Sequence, residues 1–253
     1  MKNKVVFITG ASSGIGAACA RVFAKHGAKL LLCARRYHSL QRLAAQLEKK
    51  YNTKIYTLQL DVCKHNDVAK KIAALPKNWR NIDILINNAG LAAGLDKFQN
   101  AALEDWEAMI DTNIKGLLYV TRAVLPNMLK RKRGDIINIG SIAGHDVYPA
   151  GHVYCATKFG VYALTRGLKM DLVDTNIRVA TVDPGMVDTE FSKVRFKGDM
   201  ERAKKVYAGL KPLAASDVAD AVFYCVSRPA HVNILEVIIT PTAQASPTVV
   251  HRS

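Results

Sequence analysis

Short apolar runs alternate with amphipathic segments along the whole chain. The apolar runs are nearly continuous, which is typical of strands that a parallel sheet buries on both faces. We predict strands over residues 5–9, 29–34, 54–60, 82–87, 135–140, 177–182 and 235–240. The amphipathic segments between them predict helices over residues 14–26, 38–51, 66–75, 104–130, 151–173 and 216–227.

Strict alternation of strands and helices predicts an α/β protein of the doubly wound type. We expect a single-domain Rossmann fold over residues 1–253, with a seven-stranded parallel sheet flanked by helices on both faces. Gly27 stands where the first helix should end, as a glycine at a helix C-terminus does. One long irregular stretch runs over residues 184–215, and long loops in compact domains are usually lids or binding loops.

Composition limits the classes of protein that fit. Of the 253 residues, 49% are hydrophobic and 23% are charged, so the chain can bury a large core and disorder is excluded. No apolar run approaches the ~18 residues of a membrane span, and the first run is too short for a signal peptide. We therefore expect a cytoplasmic protein with no membrane partner. The five cysteines lack metal-knuckle spacing, so we expect reduced thiols and no metal site.

The formal net charge of +15 raises the possibility of nucleic-acid binding. The basic residues are scattered over predicted helix faces and one loop, KRKRG at 130–134, and no aromatic platform is interleaved with them. We therefore expect a solvated basic surface that steers anionic ligands, and no nucleic-acid partner.

Residues 9–16 read TGASSGIG and join the first predicted strand to the first helix. Glycines let the backbone approach a diphosphate, and a helix N-terminus offers free N–H groups and a partial positive charge. The spacing G-x-x-x-G-x-G differs from the common G-x-G-x-x-G, and three glycines in a turn could be turn chemistry alone. The strand–turn–helix context favours nucleotide binding. The expected contacts are Gly10, Ser12, Ser13, Gly14, Ile15 and Gly16.

The end of the second strand indicates which nucleotide is bound. Arg35 and Arg36 stand where an enzyme that takes NAD usually has a carboxylate for the ribose 2′-hydroxyl. A guanidinium suits a 2′-phosphate, so the pair indicates NADP(H); a solvated pair at a strand end is the alternative. Turn residues after the third and fourth strands could reach the adenosine. These are Asp61, Val62, Asn88, Ala89 and Gly90.

Tyr154 and Lys158 stand four residues apart in GHVYCATKFGVYAL, a segment of helical composition. A phenol with a pKa of ~10 is idle at neutral pH, and an ammonium one helical turn away favours its ionised form. The pair could be a proton-transfer device or an ordinary helix face. Ser141 follows the fifth strand, where ligands bind in such sheets, and could also be a turn hydroxyl. Asn113 falls inside a predicted helix and could mark a local bend.

Together these motifs resemble the classical short-chain dehydrogenase/reductase family. TGASSGIG, NNAG at 87–90, Asn113 in DTNIKG, Ser141 in IGSIAG, Y-x-x-x-K at 154–158 and PG at 184–185 occur in the family's order and span nearly the whole chain. The stretches IDILINNAGLAAG, KVRFKGD and PAHVNI, with VHR near the end, resemble one NADP-dependent branch. That branch comprises 3-hydroxy acid dehydrogenases, also described as serine or allo-threonine dehydrogenases and malonic semialdehyde reductases.

The resemblance implies a role for each residue of the site. Tyr154 would be the general acid or base, with Lys158 and the oxidised nicotinamide lowering its pKa. Ser141 would hold the substrate oxygen, and Asn113 would hold a water that links Lys158 to solvent. Lys158 would also bind the nicotinamide ribose. Further cofactor contacts would come from Pro184, Gly185, Val187 and Thr189.

A lid over residues 186–210 is expected to cover the nicotinamide and the substrate, and it carries Lys193, Arg195 and Lys197. An acidic substrate needs a cationic partner, and Arg195 is the candidate. The alternative is that these charges are solvated or lie at a subunit contact. The predicted substrate contacts are Ser141, Tyr154 and Arg195.

The expected activity is hydride transfer between NADP(H) and the hydroxyl or carbonyl carbon of short 3-hydroxy acids or β-hydroxy amino acids. Candidate substrates are serine, allo-threonine and 3-hydroxypropionate or malonic semialdehyde. The alternatives are a broad-specificity NADPH-dependent carbonyl reductase and a non-catalytic NADP-binding regulator. By resemblance, the protein is a homotetramer in which the tail, residues 241–253, reaches a neighbouring subunit.

Overall fold

The computed structural model describes the backbone of residues 1–253 and every side chain except those of residues 203 and 204, which fall in the predicted lid. Its main sheet has seven parallel strands in the order β3-β2-β1-β4-β5-β6-β9, and β7 pairs with β8 beside it. The predicted doubly wound α/β fold is therefore confirmed. The strands are β1 Val5–Thr9, β2 Lys29–Ala34, β3 Ile55–Gln59, β4 Ile82–Asn87, β5 Gly134–Ile139, β6 Ile177–Pro184, β7 Val187–Asp188, β8 Leu213–Ala214 and β9 Glu236–Ile239.

Helices cover both faces of the main sheet. They are α1 Gly14–Lys25, α2 Tyr37–Tyr51, α3 His65–Ala73, α4 Leu103–Ile110, α5 Leu117–Arg131, α6 His152–Asp171, α7 Phe191–Arg195, α8 Met200–Lys205 and α9 Ala215–Ser227. The first helix ends as predicted, since His26 caps it and Gly27 follows with a left-handed φ of 75°. None of the described helices combines the length and the apolar character that a bilayer crossing requires.

The apolar strands divide the core into two layers. In β1, Val6 and Ile8 pack into the cluster beneath α1, α2 and α9, while Val5 and Phe7 pack into the cluster beneath α3 and α5. This split follows from the two-residue period of a strand, which sends successive side chains to opposite faces. Full burial of each such side chain stabilises the fold by roughly 1.5–3 kcal/mol, which accounts for the apolar run from Val5 to Ile8.

The predicted helix over 104–130 is interrupted. A π-helical turn, Asp111–Gly116, separates α4 from α5. Within this turn the side chain of Asn113 bonds to the backbone of Leu91 in both directions, which fixes the turn to the loop after β4. Gly116 also lies so close to Val62 that a Cβ there would stand 2.7 Å from its Cγ2. These long-range contacts explain why periodicity alone predicted one continuous helix, and π turns are frequent at functional sites.

The stretch predicted as irregular over 184–215 contains four short elements, β7, α7, α8 and β8. The pairing of Val187 with Leu213 and of Asp188 with Ala214 closes the segment between them into a loop with adjacent ends. The predicted lid is therefore a structured loop whose two ends are held together by the pairing of β7 with β8.

A buried row of polar side chains crosses the sheet near the carboxyl ends of its strands. Asn87 on β4 donates to Asn138 on β5 and to Thr121 on α5, and Asn138 donates to Thr165 on α6. The two asparagines are in register in adjacent strands. Hydrogen bonding between buried polar groups offsets their desolvation, and here it ties α5 and α6 to fixed strand positions.

Gly144 sets the approach of α6 to the loop after β5. A Cβ at this position would stand 2.7 Å from the carbonyl oxygen of Lys158, a backbone atom that side-chain rotation cannot move away. We expect Gly144→Ala to lower the free energy of unfolding by about 1–3 kcal/mol, measured by urea denaturation. The matched control is Gly167→Ala on α6, where the described structure has no atom within 4 Å of the added carbon. It should raise stability by roughly 0.5–1 kcal/mol, and equal effects of the two substitutions would contradict the proposed contact.

Candidate active site

A cavity of about 640 Å³ lies at the carboxyl ends of the sheet strands, between the TGASSGIG turn and the lid. This is the edge at which ligands bind in doubly wound sheets. Every residue predicted to contact cofactor or substrate lines the cavity, with the exception of Gly16. Of the predicted catalytic residues, Ser141, Tyr154 and Lys158 also line it, whereas Asn113 lies behind its wall.

The glycine turn at one end of the cavity has the backbone shape that close approach of a ligand requires. Gly10 and Gly14 adopt positive φ values of 64° and 53°. Ser13 caps α1 without a side-chain bond, so the first amides of that helix have no side-chain acceptor among the described residues. Gly16 is buried against Asn88, where a Cβ would stand 2.5 Å from the amide nitrogen. Gly16 thus allows close packing beneath the turn, and the cofactor contact predicted for it stays a prediction.

Asn88 braces the turn from the adjacent strand end. Its amide nitrogen donates to the carbonyl oxygens of Thr9 and Gly10 at 2.9 and 3.2 Å. The hydroxyl of Thr9 in turn accepts from the backbone N–H groups of Asn88 and Ala89. The side chain predicted to brace the adenosine thus holds the phosphate turn in shape.

Arg36 has a partner that the sequence did not indicate. Its guanidinium donates to Glu190 of the lid at 2.8 Å and to the hydroxyl of Ser13 at 2.6 Å. The hydrogen bond from Arg36 lowers the pKa of Glu190 and keeps that carboxyl ionised. Arg35 and Arg36 are both exposed, and both line the cavity. Glu190 also lines the cavity, so it occupies the place where a second anion would meet the arginine pair.

Three of the predicted catalytic side chains converge on one wall. Tyr154 and Lys158 lie one turn apart on α6, and the ammonium nitrogen is 5.8 Å from the centroid of the tyrosine ring. Lys158 donates to the carbonyl oxygen of Ile139 at 2.9 Å, at the end of β5. Ser141, just past β5, accepts from the N–H of Ala143, which fixes its hydroxyl beside the tyrosine.

Burial dominates the electrostatics of the pair. It raises the pKa of Tyr154 well above the ordinary value, and the hydrogen bond with Ser141 and the charge of Arg195 act in the opposite direction without overcoming it. It also lowers the pKa of Lys158 to about 8, with the carboxylate of Asp183 opposing the shift. In the protein chain without cofactor, desolvation therefore sets the direction of the pKa shift at Tyr154. The lowering expected from Lys158 together with the oxidised nicotinamide stays a prediction.

The side chain of Asn113 is held by the protein. Its oxygen accepts from the N–H of Leu91 at 2.9 Å, and its nitrogen donates to the carbonyl of Leu91 and to the hydroxyl of Thr157. Both amide hydrogens are therefore engaged by protein, which anchors the π turn beside Gly90. An amide oxygen has two lone pairs, so the expected contact with a relay water stays a prediction.

Of the three lid cations singled out from the sequence, Lys193, Arg195 and Lys197, Arg195 alone lines the cavity. Its guanidinium carbon lies 5.4 Å from the ring centroid of Tyr148 and 5.9 Å from that of Tyr154. A hydrogen bond from its Nε to the carbonyl of Gly94 fixes the side chain from the opposite side. Lys193 is exposed, and Lys197 pairs with Asp105 at 2.9 Å, so neither is directed at the cavity.

Sequence reasoning missed many of the lining residues, and Tyr148 and Gln244 are two of them. Tyr148 belongs to the irregular loop before α6, and Gln244 to the tail, where its oxygen accepts from the N–H of Met186 at 2.8 Å. The tail itself folds back on its own chain, because Arg252 donates to the carbonyl of Ala208 and the N–H of Ser253 bonds to Gly209. Neither segment has a periodicity that could have predicted these contacts. The expected reach of the tail to a neighbouring subunit stays a prediction.

Comparison with known proteins agrees with this geometry. The family model described as short chain dehydrogenase matches residues 4–199, and the chain belongs to that family. It is 47% identical, over 98% of its own length and 100% of the relative, to the NADP-dependent 3-hydroxy acid dehydrogenase of Salmonella typhi. It is 42% identical to the enzyme of that name from Schizosaccharomyces pombe, over 100% and 98% of the two chains. The predicted family resemblance is thereby confirmed.

A solved structure extends the likeness to three dimensions. The closed form of a serine dehydrogenase complexed with NADP⁺ superposes with a TM-score of 0.92 at 45% identity, and the match covers 98% of this chain and 100% of the other. The similarity spans the lid and the tail as well as the sheet. The class of protein is thus a short-chain dehydrogenase.

The burial of the Lys158 ammonium predicts how the free energy of unfolding depends on pH. Its folded pKa of about 8 lies below the ordinary 10.5, so between these values the unfolded chain binds the extra proton. The contribution of this lysine to the free energy of unfolding therefore rises with pH across that window, by up to about 3 kcal/mol. We expect Lys158→Met to lose the rise, measured by urea unfolding at a series of pH values.

Subtracting the Lys158→Met profile from that of the unaltered protein gives the pH dependence that Lys158 contributes to the free energy of unfolding. The other buried groups titrate equally in both proteins. The control is Lys49→Met, an exposed residue of α2, whose profile should follow that of the unaltered protein. Parallel profiles for Lys158→Met and the unaltered protein between about pH 8 and pH 10 would show that the ammonium is not desolvated.

Proposed function

We propose that the protein is an NADP-dependent dehydrogenase that oxidises the hydroxyl carbon of short 3-hydroxy acids or β-hydroxy amino acids, and reduces the corresponding carbonyl compounds. One observation carries the proposal. A single cavity joins the glycine turn and Arg35 at one end to Ser141, Tyr154 and Arg195 at the other. The names of the relatives support both the cofactor and the substrate class.

The donor set of the cavity fits NADP(H). The uncapped N-terminus of α1 suits the diphosphate, and the two guanidinium groups suit a 2′-phosphate. Glu190 must leave Arg36 or turn aside when that phosphate arrives, because two anions would otherwise compete for one guanidinium. The bound nicotinamide supplies the hydride chemistry, and the protein supplies position and proton transfer.

Proton transfer falls to Tyr154. Its phenol is buried beside Ser141, so it reaches a substrate oxygen that the serine hydroxyl also contacts. In reduction the phenol donates its proton to the carbonyl oxygen, and in oxidation the phenolate accepts the hydroxyl proton. Lys158 stands close enough to stabilise the phenolate. The high pKa of the tyrosine in the chain alone means that the positive charge of the oxidised cofactor is needed to bring the phenol into a useful range.

Arg195 gives the site its preference for acids. A guanidinium held over two tyrosine rings and fixed by Gly94 is pre-organised, so little side-chain entropy is lost when it pairs with a carboxylate. Its position beside Tyr154 puts the carboxylate a short distance from the reacting carbon, as in a 3-hydroxy acid. The lid therefore contributes a substrate contact as well as a cover.

A broad-specificity carbonyl reductase is the second candidate function. The apolar and aromatic side chains that line the substrate end of the cavity favour it, since they accept uncharged carbonyl compounds as readily as acids. They include Leu95, Tyr148, Phe191, Val194 and Phe196. The non-catalytic regulator is disfavoured because Ser141, Tyr154 and Lys158 are kept together at the cavity wall.

The proposal includes a cytoplasmic homotetramer. It is supported by large apolar side chains exposed along three helices of one face, since exposed apolar patches mark association sites. They are Leu103 and Ile110 on α4, Leu118 on α5, and Phe159 and Met170 on α6. Light scattering tests this part, and a monomeric mass would contradict it.

The activity is tested by following NADPH formation with serine, allo-threonine, 3-hydroxypropionate and a simple alcohol, with NAD as the control cofactor. We expect Tyr154→Phe to lower kcat by about 10²–10⁴-fold while NADPH affinity is unchanged, because only the transferable proton is lost. Tyr224→Phe, at an exposed position of α9, should behave as the unaltered protein. Undiminished turnover of the Tyr154→Phe variant would exclude the proposed proton donor, and equal use of NAD would exclude the role of the arginine pair.

Substrate preference is tested at Arg195. We expect Arg195→Met to lower kcat/KM for hydroxy acids on the order of 10–100-fold and to leave neutral alcohols little changed, because the charge-assisted hydrogen bonds to the carboxylate are lost. Lys193→Met, an exposed cation of the same lid, is the matched control. The same factor of loss for both substrate classes would instead assign Arg195 to lid structure.

A further inference from the structure

A second group of ionisable side chains lies behind the catalytic serine. His145 follows the short 3-10 turn after Ser141, Asp183 lies near the end of β6, and Glu236 opens β9. Glu236 is in register with Thr181, two residues before Asp183. Because side chains two apart on a strand share a face, the two carboxylates are presented on one side of the sheet, where His145 meets them.

The imidazole stands between the two carboxylates. Nε2 of His145 is 3.2 Å from Oδ2 of Asp183 and 3.1 Å from Oε1 of Glu236, and the three ligand atoms all lie within 4.8 Å of one another. A single ring nitrogen carries at most one hydrogen, so it cannot serve both oxygens with well-aligned hydrogen bonds. A ligand atom beside a common ion would occupy the same position between the two anions.

Asp183 provides the independent observation. Its side chain is 2% exposed, and Oδ1 already accepts from the hydroxyl of Thr181 and the N–H of Ser141. Oδ2 is directed into the group, where it lies 3.2 Å from Nε2 of His145, at ion-pair distance, and the described residues give it no aligned hydrogen bond. A buried carboxylate oxygen whose hydrogen bonding is incomplete is costly, and a cation beside it would reduce that cost.

The spacing agrees with a small divalent ion. Zinc binds imidazole nitrogen and carboxylate oxygen at ~2.0–2.2 Å, which places neighbouring ligands of a tetrahedral ion roughly 3.3 Å apart. We propose that His145, Asp183 and Glu236 form a binding site for a divalent transition-metal ion of the zinc type. His145 and Glu236 are each 26% exposed, so solvent reaches the site and water can complete the coordination.

The surroundings of the site suit such an ion. The ring of Tyr162 packs edge-on against the imidazole at 5.3 Å and orients it. A bound ion would hold Asp183, and through Oδ1 it would hold the backbone N–H of Ser141. The proposed site therefore contacts the backbone of Ser141 through Asp183, and none of its three ligands lines the cavity.

The test is calorimetric titration of the chelator-treated full chain with zinc chloride, with Tm measured in parallel. We expect one saturable site per chain and a rise in Tm, because a ligand that binds only the folded state stabilises it. His145→Ala and Glu236→Gln should each lose the site. His231→Ala removes an exposed histidine from the loop before β9 and should retain it.

Magnesium chloride provides the second arm, and it should not bind in the same range, since Mg²⁺ prefers octahedral oxygen ligands. The proposal is overturned if zinc shows no saturable site, if the site survives both substitutions, or if magnesium binds as tightly as zinc. Stoichiometry and Tm are independent of catalysis, so failure here leaves the dehydrogenase proposal to its own tests.

Discussion

The desolvation of two titratable side chains on α6 is the constraint around which the site is organised. Tyr154 and Lys158 are 8% and 7% exposed, so water cannot compensate whichever charge they carry. The protein supplies substitutes: a carbonyl at the end of β5 for the ammonium, and the hydroxyl of Ser141 for the phenol. Such an arrangement costs stability and is typical of sites where a proton must move.

The same end of the sheet shows how closely its elements depend on one another. Gly140 precedes Ser141, and a Cβ there would overlap Oδ1 of Asp183. The glycine therefore leaves room for the carboxylate to accept from the N–H of Ser141. Gly144 then admits α6 to contact with that loop. Small residues at these two positions convert the carboxyl edges of β5 and β6 into a rigid support for catalytic groups.

The fold followed from sequence because its signals are local. Near-continuous apolar runs identified the seven main strands, and Gly27 correctly ended the first helix. The π turn around Asn113, the bond between Arg36 and Glu190, and the position of Gln244 had no local signal. Each depends on partners more than twenty residues away, so periodicity and propensity contain no information about them. Arg195 was predicted from chemistry alone, since an acid needs a cation, and the structure supplied its aromatic setting.

The carboxyl terminus has a practical consequence for handling the protein. The last residues run beneath the lid, where the N–H of Ser253 bonds to Gly209 and Arg252 lines the cavity. An affinity tag fused after Ser253 would begin at its contact with Gly209 of the lid. Met1 lies near the amino end of β1, whereas the cavity lies at the carboxyl ends of the strands. A fusion at Met1 therefore stays away from the cavity. An affinity tag for purification is therefore better placed at the amino terminus.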